Sequence, residues 1–396
     1  MLLKIEKLGW KLPRILVSFC LIACVHPNEI QKPSILQFLL LGSTNNSLGA
    51  ITSDFGGGGR WKVIETNSLI PLPGSTPIHS DAKGRYFQNR VFIVNRLGKD
   101  SIQRLNSQLS FVTEMEFSVG QGSNPQDIWV MNDGRAFVSF YNGFSLGIFD
   151  SNSGTRIGSI DLSQFKETTS NSDNALESSG LHLVGSSLYL ALQRLDRNDP
   201  RGYLPANSES LLIEINSNSG NVINSYVFPA RNPFTNFQQI SLRSQAYLTM
   251  SCGGNVGFLS QIDGGIYAFS LESKSFLPNP LLSEAAVGGD ILAFSIWNES
   301  LGVASVLTPN FTKKVVLFRP ITGEVVSTLL EIPPNIGTSI TGILVTPEGK
   351  LFLGNTDLRN PGVSVYDLNQ GARPLLPSPL GLELTPFQFL LLQNPN

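Results

Sequence analysis

Charge, cysteine and histidine are all scarce in this chain of 396 residues. Asp, Glu, Lys and Arg make up only 15% of it, against about 25% in an ordinary globular protein. That argues against a disordered polyelectrolyte or a charge-laced coiled coil. The 28 basic and 30 acidic side chains leave a net charge of −2, so the chain lacks the basic surplus that neutralises a phosphate backbone, and nucleic acid is not an expected partner. The three histidines, His26, His79 and His182, are not spaced as metal ligands. No apolar run reaches the ~20 residues that a membrane-spanning helix needs. What is plentiful is apolar material, at 41%, together with 37 Gly and 24 Pro. This composition suits a large core divided by many tight turns.

The first residues read as an export address. Lys4, Lys7, Lys11 and Arg14 precede an uncharged apolar stretch from Ile15 to Ala23 that ends at Cys24, which is the layout of a secretory signal. Ordinary cleavage before Cys24 would want a small residue at the −3 position, where Leu21 stands. Leu21-Ile22-Ala23-Cys24 instead resembles the bacterial lipobox, which implies cleavage before Cys24 and lipidation of its thiol. The expected organisation is a signal over 1–23, a lipidated tether over 24–34 and a folded domain over 35–396. The processed chain would carry 24 basic and 29 acidic side chains, and Cys252 would be its only unlipidated cysteine. No intrachain disulfide is then available, although the exported compartment would permit one.

The folded part is repetitive. From Gln126 the chain runs through QDIWV, RAFVSF, SLGIFD and TRIGSIDL, four short β-rich runs separated by turn clusters, which is the pattern of a four-stranded antiparallel meander. A polar residue followed four positions later by a turn residue recurs at Asp54/Gly58, Asn106/Ser110, Asp150/Gly154, Asn216/Gly220, Ser270/Lys274, Arg319/Gly323 and Asp367/Gly371. The mean interval of about 52 residues is close to the length of one propeller blade. The expected fold is therefore an all-β, seven-bladed β-propeller. Its innermost strands would start near residues 78, 126, 180, 236, 290, 339 and 386, and the C-terminal strand would join three N-terminal strands to close the ring.

The stretch 124–142, NPQDIWVMNDGRAFVSFYN, resembles the YVTN-type, surface-layer-like propeller repeat of bacterial and archaeal cell-surface proteins. GILVTPEGKLFLGN at 342–355 and VFIVN at 91–95 echo it. With the lipobox, the resemblance implies a lipid-anchored propeller of the bacterial cell envelope, at the outer membrane. It implies a surface or binding role and supplies no shared catalytic residues.

Long connections at 164–179, 196–209, 231–237 and 252–264 should gather on one face, because second-to-third-strand loops and blade-to-blade loops emerge together. Loops on a rigid scaffold are where binding concentrates. The candidate binding residues there are Gln193, Arg194, Asp196, Arg197, Arg201, Tyr203, Phe234 and Phe237. Arginines suit an anionic group and aromatics suit a partner surface, whereas the plainer reading has both groups holding long loops in place. Asp127, at the start of an innermost strand, is the channel candidate. A lone Asp does not establish a Ca²⁺ site, so no cofactor is expected. Gly56 to Gly59 reads as a turn, since no Lys-Ser/Thr or helix follows it, and Cys252 reads as an inert buried thiol. The leading functional expectation is a module that binds a protein or a glycan. The alternative is a propeller-type hydrolase or lactonase that uses channel carboxylates and a metal.

Overall fold

A computed structural model describes residues 47–167, 173, 175–197, 204–205, 209–253, 261–355 and 357–393. The lipobox residues Leu21, Ile22, Ala23 and Cys24, the apolar segment 35–41, and Arg201 and Tyr203 lie outside the described residues. Seven antiparallel sheets follow one another as a β-propeller. Blade 1 orders Thr385–Leu391 innermost, then Ser47–Ser53, Gly59–Glu65 and an outer edge split between Ile70–Pro71 and Thr76–Ile78. Blades 2, 3, 4 and 6 are simple meanders, beginning at Ala82–Phe87, Pro125–Val130, Ser178–Val184 and Asp290–Asn298. Blades 5 and 7 begin at Gln238–Leu242 and Ile343–Val345, and each has a divided outer strand.

The ring closes by pairing the two ends of the described chain. Thr385–Leu391 runs antiparallel to Ser47–Ser53, from Ser53 opposite Thr385 to Leu48 opposite Leu391, with one bulge at Ile51/Thr52. Closure follows from the sequence because Phe389 is buried in one cluster with Leu48, Ala50 and Ile64. Without the C-terminal strand, that cluster would be open at its centre. Gln388 adds a stitch to the following blade by accepting from Gly84 N at 2.9 Å and donating to Gly84 O at 3.3 Å. Gly49 is needed where it stands: a Cβ there would lie 1.9 Å from the buried Trp61 ring that fills blade 1.

Within a blade, the middle strands are buried on both faces and the outer strand on one. Val91–Asn95 in the second strand of blade 2 is buried throughout, whereas the outer strand Val112–Ser118 is largely exposed. A strand covered on both faces reads as a near-continuous apolar run and admits few Lys or Glu. The low charge content follows from this arrangement.

The turn between third and fourth strands has the chemistry that its sequence indicated. Asp150, Asn216 and Asp367 each accept backbone N–H groups through the side chain. The residue four positions on takes positive φ in six blades, including the non-glycines Ser110 (55°) and Lys274 (53°). The seventh copy differs from expectation. Asp54/Gly58 joins the second and third strands of blade 1 and so lies at the opposite end of the sheet. The true counterpart is Glu65 with Leu69, at φ 56°, where Glu65 accepts from Ser68 N. Similar local chemistry occurs at both ends, so turn residues alone do not reveal which end they occupy. The innermost strand of blade 2 also starts later than expected, at Ala82, because residues 76–78 pair with Gly59–Trp61 as the outer edge of blade 1.

Adjacent blades are latched by a repeated serine. Ser53, Ser139, Ser251 and Ser305 lie on second strands, are essentially fully buried, and donate to Ser80 O, Ser179 O, Ile291 O and Ile340 O of the following blade at 2.6–2.8 Å. Ser139, Ser251 and Ser305 each satisfy a buried carbonyl, and leaving such a group unpaired costs about 1–3 kcal/mol.

Candidate functional site

Two regions bring chemically capable side chains together: the loop face and the central channel. In a meander, the second-to-third-strand turns and the blade-to-blade links share one face. Contacts confirm this in blade 3, where Tyr141 N donates to Asn124 O and Asn142 N to Ser123 O. The tips on this face are unexpectedly apolar. Phe55, Leu97, Phe311 and Leu358 occupy the second-to-third-strand turns of blades 1, 2, 6 and 7, and they are 51%, 65%, 47% and 56% exposed. Three of them have positive φ, at 59°, 43° and 62°, a conformation that a bulky side chain adopts at a cost. None was singled out from sequence, because an isolated Phe or Leu beside a turn looks like ordinary core.

In blades 3 to 5 the same face has deep anchors. Arg197 donates to Glu177 Oε1 at 2.5 Å, Asn142 Oδ1 at 2.7 Å and Tyr141 O at 2.7 Å, and its guanidinium stacks over the Tyr141 ring at 4.6 Å. Glu177 is fully buried. Burial pushes its carboxyl up to about 7 against the opposing pull of Arg197, and it also accepts from Leu195 N. Arg194 donates to Glu209 O, and the half-buried Asp196 pairs with Leu204 across a two-residue ladder. Gln193 is buried, with its backbone bonded to Glu177 and Ser210. Phe234 is half-buried and bonded through its backbone to Ser251. Phe237 lies within the apolar cluster of blades 4 and 5. The described Arg194 and Arg197 therefore secure the roots of the long connections.

Glu284 has the same function in blade 5. It is fully buried and accepts from Gly264 N at 2.8 Å and Ile291 N at 3.0 Å. Burial, reinforced by Asp290 and Asp263, pushes it up to about 7. The neighbouring Cys252 is fully buried and its thiol is pushed well above its ordinary range. The Gly56–Gly59 segment is a turn built on Asp54, whose Oδ1 accepts from Gly56, Gly57 and Gly58 N and whose carboxyl is held down at about 2.

Asp127 lies in the channel wall. Arg85 grips it through Nε to Oδ1 at 2.8 Å and Nη2 to Oδ2 at 2.6 Å, while Ile128 N and Leu181 N donate to the same two oxygens. The four lone-pair sites of the carboxylate are thus all taken by protein donors. His182 lies against Trp129, with ring centroids 4.9 Å apart, and bonds Gln239 at 3.0 Å. Among the described residues no group of three or more His, Cys, Asp or Glu is placed to hold a metal ion. A groove of about 410 Å³ opens between blades 3 and 4, lined by Arg135, Phe137, Ile160 and the Ser217–Val222 turn. That turn joins third and fourth strands, so it belongs to the face opposite the apolar tips.

These features define a seven-bladed β-propeller with one loop-rich face. No family model matches the chain, and no curated protein matches it in sequence. Solved structures share the fold. A dihydro-heme d1 dehydrogenase, NirN, in complex with DHE aligns with a TM-score of 0.57 at 13% identity, covering 89% of this chain and 76% of that one. The hydrazine synthase of Kuenenia stuttgartiensis aligns with a TM-score of 0.52 at 13% identity, covering 79% and 94% respectively. At such identity the likeness concerns the fold.

The buried acid at Glu284 has a measurable consequence. Because its folded-state pKa is raised, the folded chain retains a proton that the unfolded chain releases at lower pH, so stability falls as pH rises from about 4.5 to about 7. Urea unfolding at pH 5 and pH 8 should show a larger drop for the wild type than for Glu284→Gln. Equal drops would remove Glu284 from the titration.

Proposed function

We propose that this chain is a lipid-anchored propeller of the bacterial envelope that binds a protein partner through its loop face. The four exposed apolar tips at equivalent turns carry this reading. Isolated surface hydrophobics are ordinary, but large ones repeated at the same turn of four blades, three of them with positive φ, are a pattern that folding alone does not require. Desolvation of such side chains is a main source of affinity in protein interfaces. Of the two partner classes expected from sequence, a protein fits apolar tips better than a glycan does.

Membrane attachment rests on Leu21-Ile22-Ala23-Cys24, and the surface-layer-like character rests on the repeat at 124–142. The catalytic alternative draws less support, because the one channel carboxylate singled out from sequence, Asp127, is saturated by protein donors.

Replacing Phe55, Leu97, Phe311 and Leu358 together by Ser should reduce crosslinking to the partner on intact cells at least tenfold. Leu97, Phe311 and Leu358 face solvent, so unfolding stability should change by no more than about 0.5 kcal/mol at each, and by more at Phe55, whose ring lies 6.2 Å from that of Phe387. Undiminished crosslinking would refute the assignment of the face. Separately, Cys24→Ser should abolish metabolic labelling with palmitate, and persistent labelling would refute the anchor.

A further inference from the structure

The loop-face reading makes no use of the cations in the channel wall. Lys83 and Arg85 lie two positions apart on the innermost strand of blade 2, so their side chains leave the same face of that strand. Arg85 uses Nε and Nη2 on Asp127, and Nη2 also donates to Leu181 O, while its Nη1 has no hydrogen-bond partner among the described residues. Lys83 makes neither an ion pair nor a hydrogen bond among the described residues. The carboxylates whose fields reach it are already engaged, Asp81 by Arg96 and Asp127 by Arg85. Three cations, Lys83, Arg85 and Arg96, therefore face two carboxylates, a local surplus of one positive charge. Near Arg85 and Asp127 lies His182, a half-buried side chain whose enclosed Nδ1 has no partner and which feels the charges of both.

A half-buried ammonium with no ion-pair partner of its own favours an anion beside it, and two unused cationic donors on one face of one strand, with an orphaned ring nitrogen near Arg85, form a coherent set. We propose that Lys83 Nζ and Arg85 Nη1 hold the anionic end of a small-molecule carboxylate in the channel, next to the His182 ring. The surplus of one charge selects the ligand class: a monocarboxylate neutralises it, whereas a dianion such as sulfate would leave an excess negative charge. Unlike loop-face docking, this site takes a small ligand and does not depend on the partner.

The groups facing Lys83 also set the pH dependence. Burial first, and then the repulsion of Arg96 and Arg85, outweigh Asp127 and Asp81 and bring Lys83 down to about 7. The ammonium, and with it the affinity, is lost as pH rises above that value. Calorimetric titration of acetate and benzoate into the full chain tests this at pH 6 and pH 9, with Lys83→Gln and Lys83→Arg as variants and circular dichroism as the check on folding. The wild type should bind at pH 6 and at least tenfold more weakly at pH 9, Lys83→Gln should be at least tenfold weaker at pH 6, and Lys83→Arg should bind equally at both pH values. No binding of either probe to the wild type, or undiminished binding by Lys83→Gln, would overturn the site. Tighter binding of sulfate than of benzoate at pH 6 would overturn the carboxylate assignment. If neither variant folds, the pH dependence of the wild type decides alone.

Discussion

Every blade depends on its neighbours, so the fold rests on the pairing that makes the ring continuous, that of Thr385–Leu391 with Ser47–Ser53. A single blade cannot bury both of its apolar faces, and an open array of seven would leave one face bare at each end. Closure removes both bare faces at once. It also unites the two most distant parts of the described chain, which makes it the contact with the largest loop-closure cost and the one most dependent on the rest being in place. Lys62 and Glu383 pair at 2.7 Å just before the closing strand, but Glu383 is largely exposed and the pair contributes little by itself. The burial of Phe389 among Leu48, Ala50 and Ile64, together with the Gln388 stitch to blade 2, contributes more.

Once the ring is closed, the two faces diverge in chemistry. On the face bearing the third-to-fourth-strand turns, Asn106, Asp150, Asn216, Ser270 and Asp367 accept backbone N–H groups of their own turns, and Leu109 and Ile321 are exposed apolar side chains among them. The opposite face combines apolar tips with the long connections of blades 3 to 5. Buried carboxylates at Glu177 and Glu284 sit beneath those connections, and their raised pKa values reflect the cost of burying them. That cost is offset by backbone N–H groups and, for Glu177, by Arg197. Order is thus supplied at the base of the loops, while the apolar tips of the other blades meet solvent directly.

Much of this was legible in the sequence, and for identifiable reasons. Alternating apolar runs and polar turn residues are local signals, and they indicated the seven blades and the closing role of the C-terminal strand. Errors arose where local chemistry is ambiguous. Asp54 builds its turn as Asp150 does, yet at the other end of a sheet, and the strand at 76–78 belongs to the blade before the one expected. The serine latches, the buried Glu177 and Glu284, and the pairing of Arg85 with Asp127 were not legible, because each is defined by a partner on another strand or another blade. Placing the innermost strand of blade 2 near residue 78 also hid Lys83 and Arg85, whose shared face appears only when the strand begins at Ala82.

The central claim, that ring closure underlies the stability of the whole disc, is tested most directly by amide hydrogen exchange on the intact chain and on one ending at Leu384. The account predicts that Leu48–Thr52 exchanges only through global unfolding in the intact chain, and that removal of the last strand erases protection there and in the adjoining blades 2 and 7. Equal protection of these segments in the two chains would contradict it.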